Sequence, residues 1–382
     1  MSTDTTQEKV VVRGLEGVIA AETSISYVDG VHGRLYYQGY DIHDLAEQTS
    51  FSEVVFLLWN GRLPTRAERD RFSSEIVADM RLPSQVVEML RLTPPHSHPM
   101  AVLRTAVSML ANFDPDVEDI SPEANRRKGR RLLAQIPTII ADLHRIRQGL
   151  PLISPDPDYG VSSNFIYMLR GTPPTELERK AMRVLMVLHA DHGLAASTFA
   201  ARVIASTLGD MHSAVVGAIG ALKGPLHGGA NQRVMEMVLN ISGVDMVKEY
   251  IEGMLENRQR IMGFGHRVYR TEDPRTTHLR KYSEMLCEAN GKRHLYEIQR
   301  RIEQTVLEAK GIYPNVDFYS ATVQYALGIP PEYYTCVFTA SRVAGWIAHI
   351  MEQYADNRLI RPTSKYIGEL GLPFVPIDQR QA

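Results

Sequence analysis

The spacing of apolar and polar positions changes once along the chain. Residues 10–40 alternate short apolar and polar stretches around Asp29-Gly30 and His32-Gly33, a pattern typical of small strands joined by tight turns. After that point, most segments show the apolar spacing of helices, and no strand and helix alternation of the parallel-sheet kind follows. The pattern therefore predicts a mainly α fold with a few short N-terminal strands.

Local start signals place several of the helices. The apolar run Phe51–Trp59 reads as one helix, and Thr65-x-x-Glu68 and Thr175-x-x-Glu178 fit the capping box, in which a hydroxyl and a carboxylate satisfy backbone donors. Further helical patterns cover approximately 132–148, 176–190, 197–208, 211–222, 245–257, 276–289, 294–309 and 331–355. Segments rich in proline, glycine or serine are predicted to be loops within a domain, at 94–95, 151–163 and 171–174.

Length and composition narrow the class of protein. At 382 residues the chain exceeds the size of a single hydrophobic core, so two domains are expected. A hydrophobic fraction of 44%, a charged fraction of 23% and a formal net charge of -2 are ordinary for a globular enzyme and argue against nucleic acid as a partner. Without a membrane-spanning apolar run or a signal-peptide pattern at the polar start, no membrane partner and a cytoplasmic location are expected.

Cysteine and histidine spacing gives no sign of a disulfide framework or a metal site. The two cysteines, Cys287 and Cys336, fall in helical segments and are predicted to be reduced core residues. His189 and His192 are three positions apart, without the HExxH pattern of zinc enzymes. We therefore expect no metal.

A histidine in a glycine-rich segment is the first candidate for chemistry. The segment KGPLHGGAN, residues 223–231, has three glycines and one proline, which allow a backbone path open to few other residues and put His227 on a bend. Because imidazole titrates near neutrality, a histidine there can donate to a developing enolate oxygen. The alternative is a glycine-rich turn with a surface histidine.

A second histidine lies among cations. The segment MGFGHRVYR, residues 262–270, continues to Asp273-Pro274-Arg275, so that His266 and three arginines share one short stretch suited to an anionic ligand. Gly263-x-Gly265 lacks the third glycine and the preceding strand of a dinucleotide fingerprint, which excludes NAD binding. The alternative is a solvated basic helix start.

One carboxylate and two late arginines complete the candidates. Asp317 lies between apolar neighbours that would raise its pKa, so it can act as a base, or it can cap the helix that follows. Arg342 falls in an apolar helix where a buried guanidinium needs a partner. Arg361 falls in the loop after that helix and could grip a carboxylate with two hydrogen bonds. Either arginine could instead form a structural ion pair.

The motifs together resemble the citrate synthase family. The resemblance runs from about residue 14 to near the C-terminus and rests on GLEGVIAAETSISYVDGVHGRLYYQGY, GPLHGGAN, GFGHRVY with its DPR, NVDFYS and SRVAGW, in that order. It implies an almost wholly helical fold of two domains, with a large domain at 1–228 and 329–382 and a small domain at 229–328. The active site would lie in the cleft between them.

The resemblance also implies an acyltransferase mechanism. His227 would donate to the thioester carbonyl of acetyl-CoA, Asp317 would remove a proton from the acyl methyl group, and His266 would polarise the carbonyl of oxaloacetate. The enol would attack that carbonyl, and water would then cleave citryl-CoA to citrate and CoA. The CoA thioester is a substrate, so no cofactor is expected.

Binding residues are carried over from the family in the same way. The expected oxaloacetate set is His192, Arg275, Arg342 and Arg361, the last supplied by the partner subunit of a homodimer. Arg270 would contact the phosphates of the coenzyme and Lys365 would assist, while backbone from Ile261 through Gly263, Phe264 and Gly265 would cradle the adenine.

The chain departs from the common family pattern at two places. After Asp191-His192 the family often has Glu-x-Asn, whereas this chain has Gly193-Leu194-Ala195-Ala196, and the common Arg-Gly-Tyr is here Gln38-Gly39-Tyr40. These differences concern the hydrogen bonds around His192 and the acyl group preference. Two alternatives stay open, namely a 2-methylcitrate synthase that uses propionyl-CoA and a helical binding protein that has lost the reaction.

Overall fold

One small sheet precedes the helices. The computed structural model describes residues 11–380, so the polar leader at 1–10, on which the expectation about a signal peptide rests, lies outside the described residues. Strands β1 (Ser26–Asp29), β2 (Arg34–Tyr37) and β3 (Tyr40–Asp41) form an antiparallel sheet in chain order. The Asp29 carboxylate accepts from the N–H of Val31 and His32 at 3.1 and 2.9 Å and thereby closes the first turn. The predicted N-terminal strands are confirmed.

Helices make up most of the remaining chain. They are α1 Ile42–Gln48, α2 Phe51–Asn60, α3 Arg66–Ala78, α4 Ser84–Leu92, α5 Pro99–Leu110, α6 Pro122–Arg147, α7 Val161–Arg170, α8 Glu176–His189, α9 Ala196–Ala205, α10 Met211–Leu222, α11 Ala230–Leu239, α12 Val247–Glu256, α13 Pro274–Ala289, α14 Arg293–Lys310, α15 Val316–Ala326 and α16 Tyr334–Ala355. In the part of the chain that the structure describes, no helix is both long and apolar enough to cross a membrane.

The predicted helix starts are confirmed where capping chemistry marks them. Capping boxes with both hydrogen bonds open α2, α3 and α8, at Ser50, Thr65 and Thr175. The predicted start of α6 near residue 132 is wrong, because the helix begins ten residues earlier at Pro122, with Ser121 as its cap. The first turns of α6 are polar in sequence, yet Gly129 packs against Ile347, and a Cβ at Gly129 would lie 2.7 Å from that side chain.

Some helices fall where a loop was predicted or where no helix was assigned, and the unassigned ones include α1, α4, α5 and α11. Helix α7 begins inside the segment 151–163, because Gly160 ends the loop and the following Val161 and Phe165 are buried. Helix α11, directly after His227, was not foreseen because the glycines before it hide its start. Both cysteines are buried in helices, and burial raises the pKa of Cys287 to about 11, which fits reduced core residues.

The core is organised around α16, which is buried along most of its length. It packs against α2, α6, α8, α9 and α10, and the Trp59 indole N–H donates to the Ala344 carbonyl at 2.9 Å. Gly345 allows the loop after α8 to approach closely, since a Cβ there would lie 2.3 Å from the Asp191 carboxylate. This approach places the segment that carries His192 directly on the helix that carries Arg342.

Helices α11 to α15 pack mainly against one another. Helix α13 contacts α14 and α15, and α11 contacts α15. The loop before α13 meets the turn between β1 and β2, where the Arg270 N–H donates to the Gly30 carbonyl at 2.8 Å. A Cβ at Gly30 would lie 2.3 Å from the Val268 carbonyl oxygen, so only glycine permits this contact.

Candidate active site

Three aromatic rings from distant segments form one side of the site. His192, in the loop after α8, lies with its ring centroid 5.2 Å from that of His266, in the loop before α13. The His192 Nε2 atom and the Tyr269 hydroxyl are 3.2 Å apart. Burial, reinforced by Arg275, lowers the pKa of His192 and lowers that of His266 to about 4. Both imidazoles are therefore neutral near pH 7.

Backbone contacts select the tautomer of His266. Its Nδ1 atom accepts from the N–H groups of Val268 and Tyr269 at 2.9 and 3.1 Å. A neutral imidazole has one donor nitrogen and one acceptor nitrogen, so the ring proton is on Nε2. His266 is thus a neutral donor, which suits polarisation of a carbonyl group.

Arg275 is held by a buried carboxylate. Its Nε and Nη2 atoms donate to the two oxygens of Asp273 at 2.9 and 2.6 Å, and Asp273 also accepts from the Arg275 backbone N–H at the start of α13. Nη1 makes no hydrogen bond within residues 11–380. Arg275 therefore presents one donor edge and keeps its other edge fixed.

The side chain of Arg342 is buried within α16. Its Nε donates to the His189 carbonyl at 2.7 Å, and its guanidinium lies 4.8 Å from the centroid of the Phe338 ring. No Asp or Glu among residues 11–380 forms an ion pair with it, although the side chain is 1% exposed. A buried guanidinium needs an interaction that compensates for its lost hydration. The interpretation of Arg342 as part of a structural ion pair is therefore less favoured than binding of a substrate carboxylate.

Asp317 is the second residue of α15. The cap of this helix is Asn315, whose side chain accepts from the Asp317 N–H at 3.1 Å, so the interpretation of Asp317 as the cap is wrong. Burial raises the pKa of Asp317 to about 6, while Arg275 and the amide of Asn231 oppose the increase. A carboxylate with this pKa is ionised at neutral pH and basic enough to accept a proton.

His227 has the tautomer opposite to that of His266. Its Nε2 lies 2.8 Å from the Ser197 hydroxyl, which accepts from the Trp346 indole N–H at 3.1 Å. The indole can only donate, and the buried hydroxyl has no other hydrogen-bond acceptor within residues 11–380, so its proton is directed to Nε2 and the imidazole proton is placed on Nδ1. Burial and Arg342 lower the pKa of His227 to about 4, so this ring is also a neutral donor.

Close packing explains the glycines after His227. The Gly228 N–H donates to the Leu222 carbonyl at 3.0 Å, and a Cβ at Gly228 would lie 2.5 Å from that oxygen. The Thr335 hydroxyl donates to the Gly228 carbonyl at 3.0 Å. His227 is therefore on a tight, closely packed bend, as predicted, and not on a solvated surface turn.

The expected coenzyme segment is fixed against the start of α15. Gly263 has φ +82°, and a Cβ there would lie 2.9 Å from the ring of Phe318. Phe264 forms an isolated bridge with Pro314, and its ring centroid is 4.7 Å from that of Phe318. The Gly265 N–H donates to the Tyr313 carbonyl at 3.0 Å. Ile261 is buried at the beginning of this segment.

Two buried arginines connect the groups into one site. Arg342 influences the pKa of both His227 and Asp317, and Arg275 influences that of Asp317, His192 and His266. The structure thereby brings together the expected donors, the expected base and two of the expected carboxylate-binding groups.

Three expected binding residues lie outside this cluster. The side chains of Arg270, Arg361 and Lys365 are exposed and make no hydrogen bond or ion pair with residues 11–380. The single chain does not bring Arg361 to the cluster.

Some contributing residues were not foreseen. Tyr269, Asp273, Asn231 and Ser197 contact the candidate residues. Tyr269 and Asp273 share the motif of His266 and Asn231 shares that of His227, whereas Ser197 had no such signal. At the position after His192, where the chain departs from the common family pattern, Gly193 has φ +58° and its N–H donates to the Asp191 carboxylate at 2.9 Å.

No group of three residues suited to a metal ion occurs among residues 11–380.

This helical fold and its cluster of neutral histidine donors, one basic carboxylate and buried arginines define an acid–base enzyme for an anionic substrate. The family model for the citrate synthase C-terminal domain matches residues 14–363. Citrate synthase 2 of Bacillus subtilis is 46% identical over 369 residues, covering 96% of this chain and 99% of the relative. The chain belongs to the citrate synthase family, and the protein is an enzyme of the acyltransferase type.

Two further relatives bear on the substrates. A citrate/2-methylcitrate synthase of Bacillus subtilis is 41% identical over 356 residues, covering 93% of this chain and 96% of the relative. The structure of Thermoplasma acidophilum citrate synthase, a ternary complex with carboxymethyl coenzyme A and oxaloacetate, is 32% identical with a TM-score of 0.92. It covers 97% of this chain and all of that chain.

Proposed function

We propose that this enzyme condenses acetyl-CoA with oxaloacetate and water to give citrate and CoA, the condensation of the tricarboxylic acid cycle. The observation that carries the proposal is the pair of neutral imidazoles with opposite tautomers, His227 and His266, in a site that also holds a carboxylate of raised pKa. Enolisation of a thioester needs a base and an aimed donor together, because a weak base succeeds only if the enolate is stabilised as it forms.

Each group has a defined role in this reaction. Asp317 takes a proton from the acyl methyl group, and the Nδ1–H of His227 donates to the thioester oxygen. The Nε2–H of His266 donates to the ketone of oxaloacetate, whose carbonyl carbon the enol attacks. Water then hydrolyses the citryl-CoA thioester and releases citrate and CoA. All of these steps are proton transfers and carbonyl additions, so the proposal requires no cofactor and no metal.

Oxaloacetate is held by His192 and three arginines in this proposal. The Nη1 edge of Arg275 and the buried guanidinium of Arg342, which forms no ion pair with residues 11–380, supply donors for its carboxylates. Arg361 of a partner subunit completes the set. For the coenzyme, exposed Arg270 and Lys365 meet the phosphates, and the rigid backbone from Ile261 to Gly265, including Gly263 and Phe264, cradles the adenine.

Two domains close over the substrates in this proposal. The large domain comprises 1–228 and 329–382, and the small domain comprises 229–328. The mutual packing of α11 to α15 supports the division, and Gly228-Gly229 is the proposed hinge. Closure excludes water, which would otherwise compete for the thioester.

The C-terminal arm supports a homodimer. Beyond α16, large apolar side chains are exposed, with Ile367 92%, Leu370 85% and Phe374 84% accessible. An apolar run of this kind is typical of a segment that another chain covers. We therefore propose that the arm packs on a second copy and carries Arg361 to the partner's site.

The cytoplasmic location expected from the sequence stays a prediction.

Hybrid dimers test whether Arg361 acts across the interface. We expect Asp317→Asn and Arg361→Ala homodimers each to be nearly inactive, the first without its base and the second with weakened oxaloacetate binding. A hybrid of the two contains one intact site if Arg361 serves the partner, so that an equilibrated mixture regains about a quarter of the parent activity. If Arg361 serves its own subunit, both sites of the hybrid are defective. Thiol release from separately tagged, purified hybrids decides between them, and no recovery contradicts the proposal.

Acyl group preference separates the proposed function from its nearest alternative. A 2-methylcitrate synthase would have the same site residues and accept propionyl-CoA, and a curated relative carries both names. One methylene in an apolar pocket is worth about 1 to 3 kcal/mol, so the preference can be graded. We expect a higher kcat/KM for acetyl-CoA than for propionyl-CoA with oxaloacetate. The reverse order would assign 2-methylcitrate synthase, and no thiol release with either would favour a binding protein.

A further inference from the structure

An amide from the His227 segment meets the carboxylate of Asp317. Asn231 lies four residues after His227, at the start of α11, and is 2% exposed. Its Nδ2 is 3.4 Å from Asp317 Oδ1 and also donates to the Ser320 hydroxyl. Asp317 Oδ2 makes no hydrogen bond within residues 11–380. The amide therefore holds one carboxylate oxygen and leaves the other available.

A second buried amide determines which way Asn231 points. Gln324, two turns further along α15, donates from Nε2 to Asn231 Oδ1 at 3.1 Å and to the Ser320 carbonyl at 3.3 Å. Reversing the Gln324 amide would bring its oxygen against two acceptors, so its orientation is determined. Asn231 must then direct its oxygen to Gln324 and its NH₂ group to Asp317.

We propose that Asn231, oriented by Gln324, is the positioning residue for the base Asp317. Its amide fixes the rotation of the carboxylate, so that Oδ2 faces the acyl methyl group. The same short segment then carries both His227, which is the donor to the enolate, and Asn231, which orients the base. The positions of the donor and the base are thereby linked. This inference rests on the proposed function, because it assigns a role relative to proton abstraction.

The charged groups around Asp317 and the amide of Asn231 together set the pKa of this carboxylate. From α13 and the loop before it, Arg275 lowers the pKa of Asp317 and Asp273 raises it, and from α16 Arg342 lowers it. Burial is the largest influence and raises the pKa to about 6, and the Asn231 hydrogen bond opposes burial. The base acts when ionised, so loss of this hydrogen bond displaces the acid limb of the kcat profile to higher pH.

The test uses two variants of the network and one matched control. We expect Asn231→Ala to lower kcat about 10- to 100-fold, the range for a lost hydrogen bond to a charged group. The KM for oxaloacetate should stay within about twofold, because the arginines that bind it are untouched. Gln324→Leu should lower kcat less and displace the acid limb in the same direction. Asn290→Ala is the control, since Asn290 donates at 2.9 Å to Ala326, at the far end of α15.

Each outcome decides between a positioning role and a structural one. A reduced kcat with a displaced acid limb in Asn231→Ala, and an unchanged control, supports the proposal. An unmoved acid limb in both network variants overturns it, whatever the loss of activity. If Asn231→Ala does not fold, Gln324→Leu alone decides by the same criterion. Asp317→Asn is measured alongside. If this variant retains activity, the proposed base is refuted. If it is inactive while the acid limb of Asn231→Ala is unmoved, only the inference about Asn231 is refuted.

Discussion

Asp317→Asn should lower kcat by roughly 10² to 10⁴ while the KM for oxaloacetate changes little, because only the general base is lost. The side chain keeps its size, and the cap of α15 is Asn315, so the helix start is preserved. An amide cannot accept the proton from the acyl methyl group. Steady-state kinetics of thiol release with both substrates give kcat and KM.

The control for this variant is Asp245→Asn. Asp245 is exposed, in the same half of the chain, and makes no hydrogen bond or ion pair with residues 11–380. Its substitution should leave kcat unchanged. Near-normal turnover of Asp317→Asn would remove this residue from the role of base.

His227→Ala should lower kcat by roughly 10² to 10³, the usual loss for one donor to a developing oxyanion. The substitution removes the Nδ1–H that would donate to the thioester oxygen. The Ser197 hydroxyl and the Trp346 indole remain, but without the imidazole that they position. Oxaloacetate should still bind, because its proposed ligands are on other segments. Isothermal titration with oxaloacetate, together with thiol release kinetics, separates the two effects.

His96→Ala provides the comparison for this substitution. His96 is exposed in the loop between α4 and α5 and makes no side-chain hydrogen bond within residues 11–380. We expect parental kinetics from it. A His227→Ala enzyme with parental kcat, or one that loses oxaloacetate binding in proportion to activity, would contradict the assigned role.

Local chemistry made much of the fold predictable. Asp29-Gly30 marks the hairpin because a short carboxylate and a glycine satisfy a tight turn, and Thr65 and Thr175 mark helices through reciprocal caps. The start of α6 was missed because its first turns are polar in sequence, although Asn125, Lys128 and Gly129 are buried by tertiary contacts. Tertiary contacts therefore determine where this helix begins, and the spacing of apolar residues in the sequence does not reveal them.

The candidate site was predictable where function left a local mark. His227 and His266 stand out because glycines surround them, and the structure explains these glycines by close packing at Gly228 and by left-handed backbone at Gly263. The role of Ser197 was invisible, since its contact with His227 spans thirty positions of sequence. Equally, no local pattern indicates that buried Arg342 forms no ion pair with a carboxylate of residues 11–380.

Quantifying the products of the purified enzyme tests the central claim most directly. Incubated with acetyl-CoA and oxaloacetate in excess chelator, the enzyme should release free CoA and form citrate in equal amounts, with neither product when one substrate is omitted. The Asp317→Asn and His227→Ala enzymes should form both products far more slowly. Free CoA without citrate, or no thiol release from acetyl-CoA or propionyl-CoA, would contradict the account.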